Sequence, residues 1–183
     1  MAEKNSVEVG IVGVGSLVDF LIARLLEQKI CLNILQSQKS NNSDSKIRCC
    51  QSLKELRKES DFVITACTDG PELEETLLGK NGLITDITYG GSIIDMSSVS
   101  PELIHEISEQ LIEKGVSFLD AAIINEEHSE SGLIQMILVG GDEREFDNAS
   151  PLLKRIAENV KLIGANGASQ FYRQAFGVRK KYQ

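Results

Sequence analysis

Gly13 and Gly15 stand two residues apart, after the apolar run Val9-Gly10-Ile11-Val12 and ahead of a helical pattern that opens at Ser16. Residues of these types in this order can hold a phosphate. Gly13 permits a tight turn and Gly15 lets the backbone approach a pyrophosphate. The first N–H groups of the following helix then point at the anion, together with the positive end of the helix dipole. Val14, Ser16 and Leu17 complete the turn. The third glycine of a G-x-G-x-x-G fingerprint is replaced by Val18, so two glycines carry the pattern. Asp19 places a carboxylate in the first helical turn, where it competes with a pyrophosphate for the same dipole.

Cysteine chemistry is less organised. Cys31, Cys49, Cys50 and Cys67 lie in apolar, strand-like runs without ligand spacing or clustered histidines. They read as buried free thiols in a reducing compartment, with no metal site.

The elements that must position the glycine turn alternate along the chain. Leu17, Leu21 and Leu25, flanked by Ile22 and Leu26, give a helix ending near Gln28-Lys29. Apolar runs predict strands at 30–35, 47–50, 62–67, 92–95, 116–119, 133–139 and 160–163. Helices are expected at 53–58, 72–78, 101–114 and 144–159, and residues 36–45, rich in Ser and Asn, read as a loop. This order predicts an α/β fold: a doubly wound, mostly parallel, Rossmann-type sheet that binds ligands outside the carboxyl ends of its strands.

With 183 residues, 42% of them hydrophobic, one domain with a proper core is expected. No apolar run approaches the ~20 residues that span a bilayer, and residues 1–6 lack a signal-peptide layout, so a cytoplasmic protein is expected. A net charge of −8 argues against nucleic-acid and anionic-membrane partners, although Arg173, Arg179, Lys180 and Lys181 form a basic tail.

Five ordered segments carry a resemblance: Gly10 to Leu17; Gly79-Lys80-Asn81-Gly82-Leu83; Gly91 through Asp95-Met96-Ser97-Ser98 to Pro101; Gly115 to Ala121; and Gly132 to Gly141. The third contains D-x-S-[ST]-x-x-P, the most specific of them. On these segments the chain resembles the cofactor domain of the β-hydroxyacid dehydrogenases, which include 3-hydroxyisobutyrate dehydrogenase and relatives of 6-phosphogluconate dehydrogenase. The resemblance covers residues 7 to 175. It implies a unit at 1–165 that binds NADP or NAD, followed at 166–183 by a stub of the interdomain helix, with the family's all-helical domain absent.

Position by position, the resemblance implies that Gly13, Val14, Gly15, Ser16 and Leu17 line the pyrophosphate and the nicotinamide side. Ser98 would face the nicotinamide ribose, or else serve the helix that begins near Ser100-Pro101. Cys67 and Thr68 stand where similar enzymes carry Leu-Pro. Gln36 ends the second strand where an acidic residue would bind the ribose 2′-hydroxyl of NAD. That absence admits NADP, and Lys39 could reach a 2′-phosphate, but Ser37 replaces the arginine typical of strong NADP binders. The balance falls to NADP.

The implied chemistry is altered. Arg173 stands at the family's catalytic lysine, and Phe176 and Gly177 replace its two asparagines. A guanidinium does not exchange protons near neutrality. The substrate-carboxylate segment D-A-P-V-S-G-G reads Asp120-Ala121-Ala122-Ile123-Ile124-Asn125-Glu126, and Glu126 and Glu127 would repel an acid. Tyr172 and His128 are the remaining proton-transfer candidates. Three readings stay open. One is a dinucleotide-binding domain with little or no dehydrogenase activity alone. Another is an active NADP-dependent oxidoreductase on a non-acidic substrate, its cleft completed by a partner subunit. The last is a cofactor-free scaffold. A homodimer or a protein partner is expected through the C-terminal helix, over residues 165–178, with Phe171 folding back onto the sheet as the alternative.

Overall fold

The computed structural model describes residues 7–38, 44–85, 92–128 and 132–176, with the side chains of 125–128 outside that description. Its centre is β1 (Glu8–Gly13), which pairs in parallel with β2 (Cys31–Leu35) on one side and β4 (Phe62–Ala66) on the other. Beyond β2 lies β3 (Ile47–Cys50); beyond β4 lie β5 (Ser92–Asp95), β6 (Phe118–His128), β7 (Ile134–Gly141) and β8 (Ala157–Gly164), giving the order β3-β2-β1-β4-β5-β6-β7-β8. All pairings are parallel except β6 with β7. That exception follows from the short connection: parallel neighbours need a crossover element, and none fits between these two strands.

Period-two side-chain alternation sends each strand's residues to two separate cores. Val9, Ile11, Ile64 and Ile94 face a cluster that includes Val18, Leu21 and Leu25 of α1 (Ser16–Glu27) and Leu152 of α5 (Glu143–Leu153). Val12, Val63 and Ile93 face the opposite cluster. There they meet Leu56 of α2 (Leu53–Lys58), Leu73 and Leu77 of α3 (Gly70–Leu78), and Ile104, Ile107 and Leu111 of α4 (Pro101–Glu113). Each fully buried leucine or isoleucine contributes about 1.5–3 kcal/mol. The doubly wound, mostly parallel α/β architecture is the one expected.

Two boundaries differ by more than three residues. The helix expected at 144–159 stops at Leu153, because a turn (Arg155 N–H to Leu152 O, Ile156 N–H to Leu153 O) feeds Ala157 into β8. No glycine marks that stop. The strand expected at 116–119 continues to His128 as β6, because its residues from Leu119 onward pair with β7. The cysteines are free, but Cys31 and Cys49 are only half-buried, whereas Cys50 and Cys67 are buried.

Candidate functional site

The chain winds outward from β1 to β2 and β3, then returns to place β4 on the other side of β1. Two neighbouring connections therefore leave the sheet in opposite directions, which opens a crevice at the carboxyl ends of β1 and β4. Gly13 ends β1, Gln36 and Ser37 follow β2, Cys67 and Thr68 follow β4, and Ser98 lies three residues beyond β5. Register pairs Gly13 with Ala66 and Thr65 with Asp95, so these segments are neighbours at one end of the sheet.

At the glycine turn the two glycines do different things. Gly13 has φ +138°, and a Cβ there would lie 2.2 Å from the Ala66 carbonyl oxygen. It is glycine on two counts: that φ suits the turn, as expected, and β4 leaves no room for a side chain. Gly15, φ +100°, is the N-cap of α1, and a Cβ there would meet none of the described residues within 4 Å. No side chain caps α1, whereas Ser52, Asp69, Ser100 and Asp142 cap α2 to α5. Gly167, before the last helix, likewise offers no capping side chain, but there Asp120 accepts from the Gly167 N–H. Val14, Gly15, Ser16 and Asp19 are exposed around that uncapped end, and Val18 is buried in the core. A helix start with exposed donors and no capping side chain is chemically suited to an anion.

Around the turn, Gln38, in a short 3₁₀ turn at Gln36–Gln38, donates through its side-chain amide to the Gly13 carbonyl and accepts from the Leu35 N–H at 3.2 Å. Gln36 and Ser37 themselves are exposed. Thr68 is engaged by Glu72, which accepts from its N–H (2.7 Å) and its hydroxyl (2.6 Å) at the start of α3. Ser98 is half-buried, while Ser100 caps α4 by accepting from the Leu103 N–H at 3.2 Å. The capping function considered for Ser98 thus belongs to Ser100.

Behind these segments lie two wholly buried carboxylates, Asp95 and Asp120, paired in register across β5 and β6. Asp95 Oδ1 accepts from Thr65 Oγ1 (2.8 Å), Ser97 Oγ (2.6 Å) and the Ser97 N–H (3.1 Å). Asp95 Oδ2 has no hydrogen-bond partner among the described residues. Burial pushes this carboxyl up to about 6; the Ser97 and Thr65 bonds pull the other way, and the Asp120 charge adds to the rise. Asp120 accepts from the Gly167 N–H (2.9 Å) and Ser169 Oγ (2.5 Å), which fixes the first turn of α6 (Ala168–Ala175). Gln170 and Arg173 of α6 then donate to the carbonyls of Ser97 (3.0 Å) and Val99 (3.3 Å).

Arg173 is therefore held against the segment that carries Ser98. Tyr172 is exposed and stacks on Phe176 with ring centroids 4.3 Å apart. Phe171 is 67% exposed, so it does not fold back onto the sheet. Lys39, Gly177 and the tail residues Arg179, Lys180 and Lys181, together with the side chains of Glu126, Glu127 and His128, lie outside the described residues. Sequence reasoning assigned no role to Gln38, Asp95, Ser97, Asp120 or Gln170. For the two aspartates a signal exists: a carboxylate ending an apolar strand, where burial demands partners.

The family described as the NAD binding domain of 6-phosphogluconate dehydrogenase matches residues 8–164. Among curated proteins, 2-hydroxy-3-oxopropionate reductase of Escherichia coli is 33% identical over 120 residues, covering 66% of this chain and 41% of that enzyme. Among solved structures, 3-hydroxyisobutyrate dehydrogenase of Mycobacterium tuberculosis, with L-serine, has a TM-score of 0.80 at 20% identity over 93% of this chain and 59% of its own. An imine reductase of Myxococcus stipitatus in complex with NADP+ has a TM-score of 0.78 at 17% identity over 92% of this chain and 59% of its own. The last two likenesses concern the fold. The chain spans between 41% and 59% of these proteins.

Proposed function

The chain belongs to the family of the NAD-binding domain of 6-phosphogluconate dehydrogenase, and on that premise we propose that it binds NADP in preference to NAD at residues 13–17, with little or no dehydrogenase activity alone. The observation that carries the reading is the uncapped, exposed start of α1 at the crevice, where every helix from α2 to α5 has a capping side chain. Gly13, Val14, Gly15, Ser16 and Leu17 would follow the pyrophosphate. Gln36 and Ser37 would face the adenosine ribose, where no carboxylate at the end of β2 repels a 2′-phosphate. Cys67, Thr68 and Ser98 would border the nicotinamide. The dinucleotide supplies hydride chemistry when bound; the residues of this chain orient it.

Low activity rests on Arg173. Its guanidinium stays charged near neutral pH and is held on the Val99 carbonyl, so it is a poor proton donor or acceptor for a substrate oxygen. In this reading residues 1–165 form the dinucleotide unit and 166–183 begin an interdomain helix. Calorimetric titration with NADPH, NADP and NADH tests it: NADPH binding tighter than NADH supports the assignment, and no heat with any of the three removes it.

The exposed Phe171 and the Tyr172–Phe176 stack favour a second reading in parallel, association of α6 with a second copy of the chain.

A further inference from the structure

We propose a second ligand site, for a small carboxylate with an apolar body, in the cavity at the end of the sheet remote from the glycine turn. This cavity, of about 440 Å³, lies in the size range of small-molecule sites and is lined by Val7, Ile30, Phe62, Pro151 and Leu152, with Gln28, Lys29, Asn148 and Arg155 as its polar residues. Val7 precedes β1 and Gly13 ends it, so the two sites are about 20 Å apart.

Two backbone features that oppose stability converge on its walls. Lys29 has φ +61°, and it is the only non-glycine residue with positive φ among the described residues. It occupies the C′ position of α1, where the Lys29 N–H donates to Leu26 O (2.9 Å) and the Ile30 N–H to Leu25 O (3.0 Å). Glycine is the unstrained residue for that position, yet a lysine stands there and lines the cavity. Pro151 lies inside α5, where it removes a helical N–H. It falls with Asn148 and Leu152 on one face of α5, spaced i, i+3, i+4, and Arg155 follows in the turn after the helix; together they form one wall.

The chemistry of that lining selects the ligand. Its five apolar residues favour a hydrocarbon body, and its two charged residues are both cations, in a chain of net charge −8. Among the described residues neither the Lys29 ammonium nor the Arg155 guanidinium has a carboxylate within ion-pair distance. Both residues are exposed, and a carboxylate reaching either head would accept hydrogen bonds from it. The competing explanation is that the two cations only complement the carbonyl ends of α1 and α5.

Octanoate, octanol and octylamine serve as probes in calorimetric titration of the full chain. Octanoate is expected to bind one to one, octanol at least tenfold more weakly, and octylamine not at all. Lys29→Gly should weaken octanoate at least fivefold while raising Tm, because glycine relieves the backbone as it removes the charge. Arg155→Gln should weaken octanoate similarly with Tm unchanged. Absence of octanoate binding, equal binding of octylamine, or displacement of octanoate by NADPH overturns the proposal. So does a Lys29→Gly chain of higher Tm with unaltered octanoate affinity, which would leave the lysine with a helix-end role only.

Discussion

Gly13 and Ala66 are packed so closely across β1 and β4 that a single added carbon on Gly13 would lie 2.2 Å from the Ala66 carbonyl oxygen, whereas two residues later a carbon added to Gly15 would touch none of the described residues. The pair separates folding from binding within one motif. Gly13→Ala is expected to destabilise the fold by about 3–5 kcal/mol, combining a backbone clash with an unfavourable φ. Gly15→Val should cost only about 1–3 kcal/mol of backbone strain and lower dinucleotide affinity at least tenfold. Urea unfolding and NADPH titration on both variants check this. A folded Gly15→Val chain with unchanged affinity would move the site elsewhere.

The purified chain should not turn over 3-hydroxyisobutyrate or 6-phosphogluconate with either NADP or NAD. Arg173 is the reason, since proton transfer at the substrate oxygen needs a group that can titrate. Steady absorbance at 340 nm is expected; sustained formation of NADPH or NADH by material free of contaminating enzymes would refute it.

Asp95 gives the chain a pH signature. Its carboxyl is pushed from 3.8 to about 6 in the fold, chiefly by burial. Between those values the folded state holds the proton more tightly than the unfolded state. The contribution is therefore fully present below about pH 4 and is lost as pH rises through 6. The span corresponds to about 3 kcal/mol. Asp95→Asn should flatten this component when unfolding free energies at pH 4.5 and pH 7 are compared with those of the parent. An identical pH slope in both proteins would remove Asp95 as its source.

Much of the fold was legible because the strands are short apolar runs with abrupt polar borders: residues 47–50, 53–58 and 92–95 fall where their patterns place them. The end of α5 was not. Residues 154–159 contain neither glycine nor proline, and only pairing with β7 makes Ala157 the start of a strand. The same holds at the site. A glycine turn is a local pattern, but Asp120 holding Ser169, or Gln170 reaching Ser97, joins residues 49 and 73 apart, and no local spacing announces them.

Thiol reactivity should divide the cysteines two and two. Burial pushes Cys67 up to about 12 and Cys50 up to about 11, so at pH 8 each is a thiolate in about one molecule in a thousand or fewer. Half-buried Cys31 and Cys49 should take up iodoacetamide first, with the other pair reacting only on unfolding. Peptide mapping by mass spectrometry reads the order, and early labelling of Cys67 would contradict it.

If α6 pairs with a second copy, Phe171→Asp should abolish a dimer seen by light scattering without lowering Tm, because Phe171 is exposed and contributes little to the core. A monomer at high concentration in both proteins would exclude that contact.

The sheet ends in two unlike margins, β3 and β8. The first is four residues long and carries Arg48, ion-paired with Glu59. The second is eight residues long, and its exposed positions include Glu158, Asn159 and Lys161. A foreign strand seeking backbone partners would have to strip water from these charges before gaining any hydrogen bond. Both borders are thus guarded against fibrillar stacking, a protection that does not depend on what the crevice holds.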